Sequence, residues 1–222
     1  LPGAMNVISD YTKEIPMLAN QPSFLNGWRL TALISAALLA AAATAAFMAP
    51  APVDGARSVI RLTARTSVVL FLLAFTASSL WLLAPSAATQ WLRQNRRYIG
   101  VSFAASHFIH AGAIIALSQL DYLVFMQLNN IVAFVAGGLA YLFIALMTLT
   151  SFDRPAALAG PRIWRWLHTA GAWYIWMSFA LNFGKRVVIS PVYWLPVGVV
   201  LLALFIRIAA FRRKSAVIQQ TA

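Results

Sequence analysis

Residues 96–110 read R-R-Y-I-G-V-S-F-A-A-S-H-F-I-H, with Arg96 and Arg97 at the mouth of an apolar helix and His107 and His110 well inside it. An imidazole without a partner in hydrocarbon is costly, so histidines at that depth must face protein, water or a metal. The remaining histidine, His168 in W-R-W-L-H-T-A-G-A-W-Y, repeats the arrangement, arginines first and an imidazole inside the apolar run. Neutral imidazole is the usual axial ligand of haem iron. Two helices that each offer one therefore form the candidate constellation.

Working outward, the composition sets the class. The chain is 61% hydrophobic with only 10% charged residues, and its apolar residues come in runs of about twenty, the length needed to cross a bilayer. The expected fold is all-α, a polytopic membrane helical bundle. There is no cysteine, which excludes disulfides, thiolate haem ligands, cysteine-ligated iron–sulfur clusters and c-type attachment, so that any haem must be b-type. A formal charge of +12 would suggest a nucleic-acid partner in a soluble protein. Here the basic residues sit at helix ends and short loops, where orientation accounts for them, and no nucleic acid is expected. No G-x-G-x-x-G, P-loop or H-E-x-x-H motif is present, and no polar segment is long enough for a flavin or nicotinamide domain. A redox role would therefore need a separate electron donor and an acceptor or partner subunit.

In chain order, residues 1–27 form a polar N-terminal surface segment broken by Pro2, Pro16 and Pro22. Residues 28–211 are expected to hold six transmembrane helices, at 30–48, 66–84, 98–117, 131–150, 164–183 and 192–211, and residues 212–222 a basic cytoplasmic tail. The A-P-A-P after Met48 resembles a cleavage site, but the acid-bearing lead fits a signal peptide poorly, and a retained helix is expected. Residues 54–65 and 151–161 read as connectors, the second ending in a G-P that suits a helix start. Asp121 reads as a solvated loop acid at the far end of the third span. Gly137 and Gly138 are expected to let the fourth helix approach a neighbour closely.

Six spans place both termini on one side. Of the 17 lysines and arginines, only Arg57, Arg61, Arg65, Lys185 and Arg186 fall on the other side, so the positive-inside rule puts both termini in the cytoplasm. The third and fifth spans then run parallel. At 1.5 Å per residue His110 lies about 20 Å along its helix from Arg97, and His168 about 9 Å from Arg162. Their depths match poorly.

R-R-Y-I-G followed by His110, with W-R-W-L-H at His168 leading an aromatic helix, resembles the ferric-reductase-like transmembrane domain family. The nearest branch is the haem-binding membrane subunit of the periplasmic methionine-sulfoxide reductase system. The likeness runs from about residue 66 to 183. It implies b haems ligated from the third and fifth helices, and electrons passed from the cytoplasmic side to an acceptor or partner outside, in a bacterial inner membrane. His110 falls where the family's third-helix ligand falls, and His168 where its first fifth-helix ligand falls. The family's second fifth-helix histidine is replaced here by Leu181 or Asn182, so at most one conventional bis-histidine haem b site is expected. That site would pair His168 with His110, or with His107, which shortens the mismatch by about 4.5 Å. Arg97 and Arg165, with Arg96 and Arg162, suit haem propionates or a quinone.

Plainer readings stand beside these. The imidazoles can serve as hydrogen-bonded packing groups, the arginines as topology determinants, and Trp164 and Trp166 as interfacial anchors. A haem-free structural or accessory subunit of a larger membrane complex is the competing functional class.

Overall fold

The computed structural model describes residues 25–128 and 130–220, all of it helix, turn and connection with no strand among the described residues. Seven helices follow in order: α1 Gly27–Phe47, α2 Pro52–Leu83, α3 Ala87–Leu120, α4 Tyr122–Leu128, α5 Ile131–Leu149, α6 Asp153–Gly184 and α7 Trp194–Gln220. A 3₁₀ turn, Pro191–Tyr193, leads into α7. Five helical stretches are long and apolar enough to cross a membrane, namely α1, α2, α3, α5 and Pro191–Ala216, which holds most of α7. These make the chain an integral membrane protein. The N-terminal surface segment expected at 1–27 lies outside the described residues except for its last three.

The helices begin where the chemistry permits and run further than the apolar runs. Pro52 stands in the first turn of α2 with Asp54 beside it, and the helix continues through the basic stretch expected to be a connector. Ser86 caps α3 in a reciprocal box with Thr89, so residues 87–97 are helical as well. A helix satisfies its own backbone hydrogen bonds, and leaving the bilayer gives it no reason to stop. Asp121, half-buried between two helices, also serves as a cap: its Oδ1 accepts from Val124 N–H at 2.9 Å where the chain turns from α3 into α4. The residues 212–220 of the basic tail continue α7. In α6 the break falls at Gly160, φ 72° and ψ 162°, and Pro161 restarts the helix as its G-P suggested.

The α2–α3 pair is the most extensive interface, held by hydroxyls as well as apolar packing. Ser67 Oγ donates to Ser106 Oγ at 2.9 Å, Thr66 Oγ1 lies 2.9 Å from the same oxygen, and Ser67 and Ser106 are fully buried. Such contacts between spans are short-range glue where lipid offers no competing partner. α1 lies across both helices, pinned by Gly27 N–H to Asn95 Oδ1 at 3.0 Å and Trp91 Nε1–H to the Leu25 carbonyl at 3.2 Å. The main core, with Phe71, Phe75, Phe103, Ile144, Trp176, Phe179 and Val200, gathers α2, α3, α5, α6 and α7 around one centre.

Gly137 and Gly138 do not bring helices together. A Cβ at either would meet nothing within 4 Å, whereas one at Gly171 of α6 would strike Met147 Sδ and lie 3.1 Å from Phe143 Cδ1 on α5. The close approach is real, but its glycine is on the other helix.

Candidate functional site

A cavity of about 540 Å³ opens among α2, α3, α5, α6 and α7. Its apolar wall comes from the main core, with Phe71 and Phe75 on α2, Phe103 on α3, and Ile144 and Ile175 on α5 and α6. Four guanidinium groups line it: Arg96, Arg97, Arg165 and Arg207. His168 is the one imidazole in its lining. Gly100 of α3 also faces it, and a Cβ there would meet nothing within 4 Å, so the space continues up to the helix backbone.

His168 is held firmly. Its ring stacks on Trp164 at 4.2 Å between centroids and 23° between planes, and its Nε2 lies 3.0 Å from Thr150 Oγ1. Thr150 directs its own proton to the Leu146 carbonyl at 2.7 Å, so it must accept from the imidazole. That assigns the N–H to Nε2 and leaves the lone pair on Nδ1. Trp164 also donates its Nε1–H to the Thr150 carbonyl at 3.0 Å. The residue expected as an interfacial anchor is a wall of the site, while Trp166 is 67% exposed and remains free to act as one.

The arginines differ in what they already hold. Arg97 Nη1 pairs with Asp153 Oδ1 at 2.9 Å, and its guanidinium lies 5.5 Å from the centre of the Trp28 ring. Arg96 donates to Ser78 Oγ at 2.5 Å, and Arg165 to the Pro161 carbonyl of its own helix at 3.1 Å. Arg207 donates to the Phe75 carbonyl at 2.9 Å from inside the apolar run of α7.

His107 and His110 lie elsewhere. The cavity takes α3 residues from Arg96 to Ala104, so the two imidazoles fall about 4.5 and 9 Å further along the helix. Phe103 stands between, lining the cavity while its ring sits 5.2 Å from that of His107. The two histidines are brought together, centroids 5.4 Å apart and 25° from parallel. His110 Nδ1 is 2.9 Å from Thr63 Oγ1, whose proton goes to the Val59 carbonyl at 2.6 Å. Nδ1 therefore carries the hydrogen and Nε2 the lone pair, the tautomer suited to ligation. His107 Nδ1 is buried with no hydrogen-bond partner among the described residues. Among the described residues no ring contact joins His168 to either of the other histidines.

Leu181 and Asn182 are the two positions that the resemblance set in place of a further histidine. Leu181 is 63% exposed, and Asn182 Nδ2 donates to the Ser178 carbonyl of its own helix at 2.9 Å. Arg207 is the cavity residue that the sequence reading passed over, having counted it only as a terminal-side charge. The signal was available, since an arginine with apolar residues for a full turn on either side is expensive in a span.

The architecture defines an all-helical integral membrane protein with a cationic, aromatic-walled cavity. No known protein family matches the chain, and neither a curated protein nor a solved structure is significantly similar to it.

Proposed function

We propose that the chain is a membrane b-type cytochrome-like subunit that passes single electrons across the bilayer to a partner or acceptor. The observation that carries the reading is His168, a fixed imidazole in a cavity of about 540 Å³ that also gathers four guanidinium groups. The volume falls within the range of ordinary cofactor pockets, about 300–1,000 Å³. A b haem bound there supplies a reversible one-electron carrier. His168 would hold the iron, Arg96, Arg97 and Arg165 would meet the acidic groups, and Phe71, Phe75 and Phe103 would keep water away. The residues present fit one axial imidazole, and no second one shares the cavity. As His168 donates from Nε2 to Thr150, iron at that nitrogen would take the place of the threonine and require the ring proton on Nδ1 instead.

Electrons would come from a separate donor, with a quinone as one candidate, and leave to a separate acceptor. The resemblance to ferric-reductase-like domains supports a bacterial inner-membrane setting. In this reading residues 162–184 of α6 make the sixth span, about 35 Å long, and both termini are cytoplasmic. Reporter fusions after residue 222 are then expected to read cytoplasmic, and a periplasmic signal would refute the orientation.

The spectrum of the purified protein tests the function. Produced with ample haem, the chain is expected to carry about one b haem, high-spin when reduced by dithionite because one imidazole serves it. A haem-free preparation from such cells would remove this reading in favour of a structural or accessory subunit of a larger membrane complex. That second reading draws on Leu181 and Asn182, one turned outward and the other tied to its own helix.

A further inference from the structure

We infer that Arg207 is an acid-binding residue of the cavity, holding the carboxylate or phosphate of an amphiphile whose apolar body lies against the aromatic wall. The inference deepens the proposed function, because haem propionates are one form of such an acid. It is independent of the iron, because the headgroup of an anionic phospholipid is another.

Arg207 sits in L-L-A-L-F-I-R-I-A-A-F, with apolar residues for a full turn on either side. A charge in that position is retained at a cost and marks function by default. Its guanidinium packs 4.2 Å from the centre of the Phe75 ring and 5.2 Å from that of Trp173, and one of its donors reaches the Phe75 carbonyl. Neither ring nor carbonyl neutralises it. The sole acid lining the cavity, Asp153, is paired with Arg97, and no ion pair reaches Arg207 among the described residues. Arg96 and Arg165 line the same cavity with their hydrogen bonds going to a neutral hydroxyl and a carbonyl. Several unneutralised cations around one partly apolar space attract an anion, and low surrounding dielectric strengthens that attraction. The two rings fix the guanidinium against the wall and leave its remaining donors for the ligand. A residue that only set topology would sit at the helix end, where Arg212, Arg213 and Lys214 already do so.

The test compares the full chain with Arg207→Gln and Arg207→Lys in mild detergent, using hemin, hemin dimethyl ester and mixed phosphatidylglycerol–phosphatidylcholine micelles as probes. Circular dichroism and thermal unfolding first establish that each variant is folded. The wild type is expected either to bind hemin about tenfold or more tightly than its neutral diester, or to retain phosphatidylglycerol selectively through delipidation, as a charge-assisted contact implies. Arg207→Gln should erase that discrimination and Arg207→Lys should keep part of it. A folded Arg207→Gln with undiminished discrimination overturns the inference, as does a wild type that shows none. Hemin binding without discrimination removes the role of Arg207 and spares the haem reading. Selective phosphatidylglycerol retention with no hemin binding does the reverse.

Discussion

Replacing His168 with alanine is expected to remove the bound chromophore altogether, while Thr150→Val leaves it in place. The two residues share one hydrogen bond of 3.0 Å, so a purely structural role would cost both variants that bond, and His168→Ala the stacking on Trp164 besides. Loss of the bond would then cost each about 0.5–1.5 kcal/mol, roughly 2–4 °C in melting temperature for each kcal/mol in a chain of this size. Ligation separates them. On the proposed reading the imidazole would hold the iron, and the threonine, whose place the ligand would take, would not. Absorption spectra and haem content per chain, measured beside melting curves, tell the cases apart. Losses of stability with no chromophore in the wild type or any variant would assign His168 to packing alone. His107→Ala and His110→Ala are expected to leave the chromophore intact, as both lie beyond Phe103. A low-spin spectrum lost in one of them would mean that a ring from beyond Phe103 supplies a second axial nitrogen.

The helices were legible because their apolar runs are long, but their ends were not. The basic stretch at 54–65 looked like a connector, and the third span was expected to start only at 98, since polarity in a membrane chain usually marks the bilayer edge. Yet Pro52 and Ser86 hold the true starts, and Ser86 with Thr89 departs from the familiar S-x-x-E form of the capping box. The depth of each histidine could be counted along its helix, and the cavity lining includes His168 but neither His107 nor His110. Rotation about the helix axis could not be counted. It decides that His168 shares a cavity with the arginines while His110 turns to Thr63. Rotation likewise separates Gly138 from Gly171, one facing outward and the other facing α5. Arg207 was missed for another reason: a rule that counts charges by side takes no notice of how deep a charge lies.

Gly171→Leu is expected to be the most damaging single change in the α5–α6 interface. Even a Cβ at this position runs into Met147 Sδ and presses on Phe143 Cδ1, and a leucine adds three more carbons in the same direction. Met147 can swing aside, because its side chain is flexible, so Gly171→Ala should be tolerated with a small loss. Phe143 has less freedom, since its ring packs 5.3 Å from that of Tyr174, whose hydroxyl in turn donates to the Ala136 carbonyl at 2.9 Å. Leucine must therefore move α5 itself. That helix buries only Ala140 and Ile144 fully, and has little other packing to hold it. Overpacking of this kind costs about 1–3 kcal/mol, read as a lowered melting temperature in detergent. The cavity should suffer with it, because Met147, Thr148 and Ile144 form its α5 wall and Thr150, just beyond, positions His168. Gly171→Leu should thus lose both stability and ligand, unlike His168→Ala, which loses mainly ligand. Gly138→Leu, with nothing within 4 Å of its Cβ, should lose neither. If Gly138→Leu proved as harmful as Gly171→Leu, α5 would have to pack its outer face on a protein surface rather than lipid.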